Sequence, residues 1–198
     1  RFRQYLKPGA LILDAGCGSG RDSKAFIESG YRVVALDGSK EMCRQASAYL
    51  GQEVQCRRFE EIDEKEVYDG IWACASLLHV PHELLPKVIA RLIAALVDGG
   101  VLYASFKYGG DKMKGEREAG GRYFTDLTEE GWKKVLEEAE EEMKGSRLET
   151  VECFVTGDVR EGRGEEKWLN VVGRYKNWYM NDADEKCCNT EKYKNSIK

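Results

Sequence analysis

Residues 13–20 read Leu13-Asp14-Ala15-Gly16-Cys17-Gly18-Ser19-Gly20, with three glycines at alternate positions. Residues 16–20, called the glycine loop below, lie between an apolar run, residues 10–15, and a helix-forming run, residues 21–29. Because glycine has no Cβ, a ligand can approach the backbone of such a loop closely. A dinucleotide-binding fingerprint, GxGxxG, would need its third glycine where this chain has Arg21. The spacing therefore argues against an NAD-type oxidoreductase, which is one alternative class.

Apolar and amphipathic segments alternate on both sides of the glycine loop. Strands are predicted over residues 10–15, 32–37, 53–56, 68–75 and 101–106, and helices over residues 21–29, 40–50, 84–96 and 129–144. Two further strands, residues 147–155 and 167–175, are joined without a helix, so they must be antiparallel. The pattern predicts one α/β domain, residues 1–175, whose doubly wound seven-stranded sheet has an antiparallel final strand.

The chain of 198 residues has the composition of a folded protein, with 42% hydrophobic and 33% charged residues. Its net charge of −4 supplies no global positive field for nucleic acid, and no apolar run approaches the roughly 20 residues that span a membrane. Seven cysteines without a CxxC pair indicate thiols in a reducing cytoplasm rather than a metal site or disulfides. We expect a cytoplasmic protein that ends in a disordered polar tail, residues 176–198.

Two carboxylates flank the predicted ligand site. Asp14, directly before the glycines, would repel a pyrophosphate but suits the ammonium and sulfonium groups of a cationic ligand. That charge favours S-adenosylmethionine as the cofactor. Asp37 ends the second predicted strand, where a carboxylate can accept hydrogen bonds from both hydroxyls of a ribose. The alternative interpretation is that both residues merely cap turns.

A family resemblance follows from the order of four motifs. They are Asp14-x-Gly16-x-Gly18-x-Gly20, then Asp37, then Asp69-Gly70-Ile71-Trp72, then Gly99-Gly100-Val101-Leu102. Over about residues 8–175 this order resembles the class I S-adenosylmethionine-dependent methyltransferases. Residues 13–23, which end in Gly-Arg-Asp-Ser, are also similar to the tellurite-resistance branch of small-molecule methyltransferases.

The resemblance implies roles for individual residues. Gly16 and Gly18 would pass under the methionine part of the cofactor, Asp37 would hold the ribose, and Met42 would lie against the adenine. Phe59 and Glu60 would meet the adenine edge, although Glu60 is alternatively an exposed loop acid. The implied cofactor-binding set is Asp14, Gly16, Gly18, Gly20, Asp37, Gly38, Met42, Phe59, Glu60, Cys74 and Ala75.

Ligands of open α/β sheets bind beyond the carboxyl ends of the parallel strands, which places the acceptor there. The residues expected to bind the acceptor are Ser76, Tyr108, Tyr123, Arg160 and Trp168. His79 is the candidate general base, with a packing histidine as the alternative. Lys107 is the second catalytic candidate, because it would converge with Arg160 and Arg163 on an anionic group; charged hairpin tips are otherwise solvated.

The motif absent after the fourth strand narrows the acceptor class. Amino-methyltransferases of nucleic acids have Asn/Asp-Pro-Pro-Tyr/Phe there, whereas residues 74–77 read Cys-Ala-Ser-Leu. We therefore expect methyl transfer to a small molecule, with an anion as one candidate class, and no nucleic-acid or membrane partner. The alternative is a non-catalytic S-adenosylmethionine-binding module whose glycine-rich flap, residues 107–125, recruits a protein. The sequence predicts neither the acceptor atom nor the oligomeric state.

Overall fold

The computed structural model describes residues 1–109, 116–119, 122–143 and 146–177. Its central sheet holds β1 (Leu11–Ala15), β2 (Arg32–Asp37), β3 (Gln55–Cys56), β4 (Tyr68–Ala73), β5 (Leu96–Lys107), β8 (Ser146–Gly157) and β9 (Lys167–Asn177). Two short strands, β6 (Glu116–Ala119) and β7 (Arg122–Thr125), form a separate antiparallel pair. The helices are α1 (Arg21–Glu28), α2 (Lys40–Leu50), α3 (Leu85–Ala95) and α4 (Glu129–Glu142).

The sheet has the strand order β3-β2-β1-β4-β5-β9-β8. Strands β1 to β5 pair in parallel, and β9 inserts antiparallel between β5 and β8. The predicted doubly wound α/β fold with a terminal antiparallel pair is therefore confirmed. The chain order reverses between β1 and β4, and such a switch point opens a crevice at the carboxyl ends of the strands.

Apolar side chains cover both faces of the sheet. On one face, α3 and α4 bury residues such as Leu92 and Trp132 against the strands. The other face carries an aromatic cluster in which the rings of Trp72 and Tyr103 stack with centroids 3.9 Å apart. A fully buried leucine such as Leu92 contributes roughly 1.5–3 kcal/mol, and packing of this kind on both faces supports the loops at the edge of the sheet.

Several boundaries differ from those predicted. Helix α3 ends at Ala95, and β5 begins at Leu96 rather than at Val101, because the chain turns directly from helix into strand. The predicted flap contains β6 and β7, while residues 110–115 and 120–121 lie outside the described residues. Strand β9 extends to Asn177, so the predicted tail begins two residues too early, and residues 178–198 lie outside the described part. Within the described ranges, no helix is long and apolar enough to span a membrane.

Candidate active site

The glycine loop leaves β1 in a backbone conformation that L side chains rarely adopt. Gly16 has a φ of +83° and Gly18 a φ of +55°. A Cβ on Gly16 would lie 2.4 Å from the Cβ of Ser76, so the loop can pass the end of β4 only with glycine here. A Cβ on Gly18 would contact nothing within 4 Å, which leaves its backbone open to the pocket.

Gly20, the last glycine of the loop, lies where α1 approaches α2. It is the N-cap residue of α1 and has a φ of +83°. A Cβ at this position would lie 3.1 Å from Leu50 and 3.3 Å from Ala46. These contacts are with α2, and Gly20 lines neither the 600 Å³ pocket nor the 250 Å³ recess described below. Gly20 therefore fits the packing of α1 against α2 rather than ligand contact.

Asp37 lies at the carboxyl end of β2 and is fixed by two backbone amides. Its Oδ2 accepts a hydrogen bond from the Gly18 N–H at 3.0 Å, and its Oδ1 accepts one from the Ser39 N–H at 2.8 Å. Ser39 also caps α2 by accepting a bond from the Met42 N–H. A carboxylate has about four lone-pair sites, so Asp37 keeps acceptor capacity for a ligand.

Asp14 is buried under the glycine loop, with 2% of its surface exposed. Burial raises the pKa of its carboxyl to about 7, although the Ser23 hydroxyl, which donates a hydrogen bond at 2.6 Å, opposes this shift. Asp14 lines a recess of about 250 Å³ together with Gly16, Cys17, Gly18, Ser19, Arg21, Asp22, Cys74 and Ala75. A cation bound in this recess would be compensated by the ionised form of Asp14.

A larger pocket of about 600 Å³ adjoins the glycine loop at the carboxyl ends of the parallel strands. It is lined by Gly16, Gly18, Asp37, Gly38, Ser39, Met42, Arg57, Arg58, Phe59, Glu60, Ala75, Ser76, His79, Val80, Pro81 and Tyr123. Most of the predicted cofactor-binding residues and three of the predicted acceptor-side residues, Ser76, His79 and Tyr123, therefore line one pocket.

Two hydrogen bonds shape the pocket wall after β4. The Ala75 N–H donates to the Ser105 hydroxyl on β5 at 2.8 Å, and the Ser76 hydroxyl donates to the Ala15 carbonyl at 2.7 Å. Ala75 has a φ of +52°, a left-handed conformation that costs about 1–3 kcal/mol for a residue with a side chain. The strain is consistent with a wall whose shape matters for binding.

His79 follows in a short 3-10 turn, Leu77–His79, and is exposed toward the pocket it lines. Its Nδ1 lies 2.8 Å from the carbonyl oxygen of Tyr123 on β7. The Phe124 ring packs edge-on against the imidazole, with centroids 4.9 Å apart. Strand β7 thus reaches the pocket from the segment predicted to be a flap.

The structure corrects the expectation for the cationic rim. Lys107 pairs with Glu166, its Nζ lies 3.8 Å from Oδ2 of Asp158, and it sits 4.2 Å from the centroid of the Trp168 ring. Arg160 is likewise bound to Asp158, and its guanidinium holds the pKa of that carboxyl well below its usual range. Carboxylates of the β8–β9 hairpin therefore neutralise both cations. None of Lys107, Arg160 and Trp168 lines the 600 Å³ pocket.

Tyr108 also lies away from this pocket. Its hydroxyl donates a hydrogen bond to Glu129 at 3.1 Å, and its side chain lines a separate recess beside the hairpin. The same recess contains Lys107 and Arg163, next to Glu165 and Glu166. The cations predicted to bind an anion there therefore lie beside carboxylates of the chain itself.

Arg58, which no predicted motif includes, is an exposed residue on the pocket wall beside Gly38. Its neighbour Arg57 is bound to Glu64 and Asp63, whereas the Arg58 side chain has no carboxylate partner within the described part of the chain. The signal was present, because two consecutive arginines directly precede the predicted adenine-edge residues Phe59 and Glu60.

Comparison with known proteins identifies the kind of domain. Residues 12–100 match the family described as "Methyltransferase domain". A ubiquinone biosynthesis O-methyltransferase from Xanthomonas campestris pv. campestris (strain B100) is 31% identical over 106 residues, 50% of this chain and 43% of that protein. A trans-aconitate 2-methyltransferase from Variovorax paradoxus (strain S110) is 36% identical over 109 residues, 50% of this chain and 39% of that protein. The matches span less than half the length of these curated relatives.

A solved structure supports the fold over nearly the whole described chain. The 1,6-didemethyltoxoflavin-N1-methyltransferase of Burkholderia thailandensis, solved with 1,6-didemethyltoxoflavin and S-adenosylhomocysteine, superposes with a TM-score of 0.71 at 22% identity. The alignment covers 88% of this chain and 75% of that one. At this identity, the comparison establishes a shared fold.

Proposed function

The chain belongs to the class I S-adenosylmethionine-dependent methyltransferases, and from this premise we propose that it transfers a methyl group from S-adenosylmethionine to a small molecule. The observation that carries the proposal is the 600 Å³ pocket, in which the open Gly18 backbone, the Asp37 carboxylate and the His79 imidazole line one space. Cofactor-binding and acceptor-side groups therefore adjoin, as a direct transfer between two bound molecules requires.

The residues of the pocket fit S-adenosylmethionine by their chemistry. Asp37 has acceptor capacity for the ribose hydroxyls, and Met42 and Phe59 offer apolar surface for the adenine. Glu60 on the same wall can accept a hydrogen bond from an exocyclic amine. Asp14, in the adjoining recess, supplies negative charge for the ammonium and sulfonium groups.

The cofactor, when bound, supplies a methyl group already activated by a positively charged sulfur. The chain then has to bind, orient and shield both partners rather than activate an electrophile. The backbone-fixed Asp37 and the strained wall at Ala75 orient the cofactor side, because neither group can move without breaking hydrogen bonds. His79 serves as the general base for an acceptor that carries a proton on its attacking atom.

Arg58 makes a small anion the favoured class of acceptor. Among the arginines that line the pocket, Arg57 is neutralised by Glu64, whereas the Arg58 guanidinium has no carboxylate partner among the described residues. A guanidinium in this position can form paired hydrogen bonds with a carboxylate or phosphate. In this proposal Arg58 takes the anion-binding role predicted for Lys107, Arg160 and Arg163. Those three cations are paired with acids of the β8–β9 hairpin.

Two measurements test the proposal. Titration calorimetry with S-adenosylhomocysteine tests the cofactor site, and NAD serves as the negative ligand. Incubation with S-adenosylmethionine radiolabelled in its methyl group and a small-molecule filtrate of cell lysate tests the transfer. We expect S-adenosylhomocysteine to bind, NAD not to bind, and label to move into an anionic fraction of the filtrate. Binding of S-adenosylhomocysteine without label transfer to any fraction would support a non-catalytic binding module instead.

A further inference from the structure

Strand β7 is fastened to the loop that follows β4. The Thr125 hydroxyl, which is fully buried, donates a hydrogen bond of 2.7 Å to the carbonyl oxygen of Val80. The Tyr123 hydroxyl accepts a longer bond, 3.4 Å, from the His82 N–H. These two contacts hold the backbone of β7 against the loop on either side of Phe124.

The same strand contacts the imidazole of His79 directly. The Nδ1 of His79 lies 2.8 Å from the carbonyl oxygen of Tyr123. A carbonyl oxygen can only accept a hydrogen bond, so Nδ1 must carry the proton. In the neutral imidazole, the lone pair is then on Nε2, and Nε2 has no hydrogen-bond partner among the described residues. The edge-on Phe124 ring restrains rotation of the imidazole out of this arrangement.

We propose that β7 is a positioning element that holds neutral His79 as the Nδ1–H tautomer and so makes Nε2 the proton acceptor of the pocket. This inference rests on the proposed methyl transfer. When an acceptor atom that carries a proton bonds to the methyl carbon, the carbon–sulfur bond breaks and its electron pair stays with the sulfur of S-adenosylhomocysteine. The proton of the acceptor passes to Nε2, and the Nδ1–H bond to Tyr123 stabilises the imidazolium that forms.

Thr125 is the positioning residue that this proposal adds. It does not line the 600 Å³ pocket, and its hydroxyl makes the shorter, at 2.7 Å, of the two bonds described above that fix β7 to the loop. Replacement by valine conserves the shape and leaves the Val80 carbonyl without its donor. We expect β7 to shift and the bond between Tyr123 and His79 to weaken, with the tautomer preference changing as a result.

Nitrogen NMR can measure the tautomer directly, because the chain has only two histidines. The protein is labelled with ¹⁵N-histidine, spectra are recorded at alkaline pH where imidazoles are neutral, and His82→Gln assigns the signals. We expect His79 of the parent to be mainly the Nδ1–H tautomer. In Thr125→Val the Nε2–H form should become the major one. Thr150→Val is the matched control, because it removes a threonine hydroxyl that accepts a hydrogen bond from Trp132 on α4, away from β7. This variant should leave the tautomer of His79 unchanged.

A second readout links the tautomer to the reaction. Thr125→Val should lower the rate of label transfer into the small-molecule filtrate about tenfold while the affinity for S-adenosylhomocysteine stays within twofold of the parent. A parent spectrum that shows neutral His79 mainly as Nε2–H would overturn the positioning role, and it decides this even if Thr125→Val does not fold. Failure of the proposed function looks different, because the parent itself would then transfer no label whatever the tautomer of His79.

Discussion

The Ser76 hydroxyl donates a 2.7 Å hydrogen bond to the carbonyl oxygen of Ala15, and this bond joins the end of β4 to the start of the glycine loop. The two segments approach so closely that a Cβ on Gly16 would lie 2.4 Å from the Cβ of Ser76. The floor of the pocket thus depends on a glycine in one segment and a small residue in the other.

Gly16→Ala should therefore disrupt the pocket, because the new methyl group overlaps Ser76 and the φ of +83° is strained for alanine. We expect at least tenfold weaker binding of S-adenosylhomocysteine. We also expect the free energy of unfolding to fall by about 1–2 kcal/mol or more, which lowers Tm. Calorimetry and thermal unfolding measure the two effects.

The double variant Gly16→Ala/Ser76→Gly tests the cause of that loss. It removes the side chain that Gly16→Ala would strike, so part of the affinity should return, while the backbone strain at residue 16 remains. Gly18→Ala is the comparison for thermal unfolding, since its Cβ would meet no atom of the described chain and only the backbone strain affects the fold. Ser76→Gly alone measures the effect of losing the hydroxyl bond to Ala15, and losses that simply add up in the double variant would contradict the steric explanation.

Asp37→Ala should weaken binding of S-adenosylhomocysteine by about 1.5–3 kcal/mol, or roughly ten- to hundredfold in Kd, because hydrogen bonds to a charged acceptor are lost. The Gly18 and Ser39 amides lose their acceptor as well, so a small decrease in stability is expected. Asp69→Ala is the matched control. Asp69 also accepts a backbone bond, from the Leu11 N–H, at the opposite end of the parallel strands. If both variants lose affinity equally, Asp37 is not the ribose ligand.

The pocket wall formed by the glycine loop and Asp37 was predictable because it is built from local patterns. The glycine loop needs only a strand, three glycines and a helix in sequence, and Asp37 needs only to end the neighbouring strand. The parallel order then brings the strand ends together without any further information from the side chains. Gly20 differs because packing against Leu50, rather than a ligand, requires a glycine there.

The surroundings of Lys107 and His79 depend on contacts between distant segments, which no local sequence pattern specifies. Lys107 was expected to be available to a substrate, but the register between β5 and β9 pairs it with Trp168 and brings Asp158 and Glu166 beside it. Residues 107–125 are predicted as a glycine-rich flap, and the hairpin β6–β7 within it is missed because its two short strands lie among glycines and charges. The contact between Tyr123 and His79 joins residues 44 positions apart.

Lys107→Met tests whether this lysine is structural. Its side chain is 12% exposed and lies near two carboxylates, so Lys107→Met removes a cation that both Asp158 and Glu166 contact. We expect Tm to fall by about 2–6 °C, with the affinity for S-adenosylhomocysteine and the rate of label transfer within twofold of the parent. Lys176→Met is the control, because Lys176 pairs with Glu149 at an exposed position where an ion pair contributes little. A Lys107→Met protein with parental Tm and no label transfer would restore the catalytic role.

Asp14 makes binding of a cationic cofactor depend on pH. Burial raises the pKa of its carboxyl to about 7 in the free protein, so a sulfonium or ammonium group that favours the ionised form must displace a proton at lower pH. Affinity for S-adenosylmethionine should therefore fall as the pH is lowered from 8 through about 7 to 6, the range around this pKa. Calorimetry across that range measures the change.

Asp14→Asn should flatten this dependence and weaken binding at pH 8, because the amide carries no charge. The stability of the ligand-free protein should depend on pH in the opposite direction to the affinity for the cofactor. The pKa of Asp14 in the folded chain, about 7, lies above the ordinary value of 3.8, so the protein without ligand loses stability as the pH rises through that interval. Asp14→Asn removes this loss, and its Tm should decline less than that of the parent between pH 5 and 8. His79→Gln is the comparison variant, because His79 lines the adjoining pocket. A parental pH dependence of affinity that survives in Asp14→Asn but disappears in His79→Gln would assign the proton to the histidine instead.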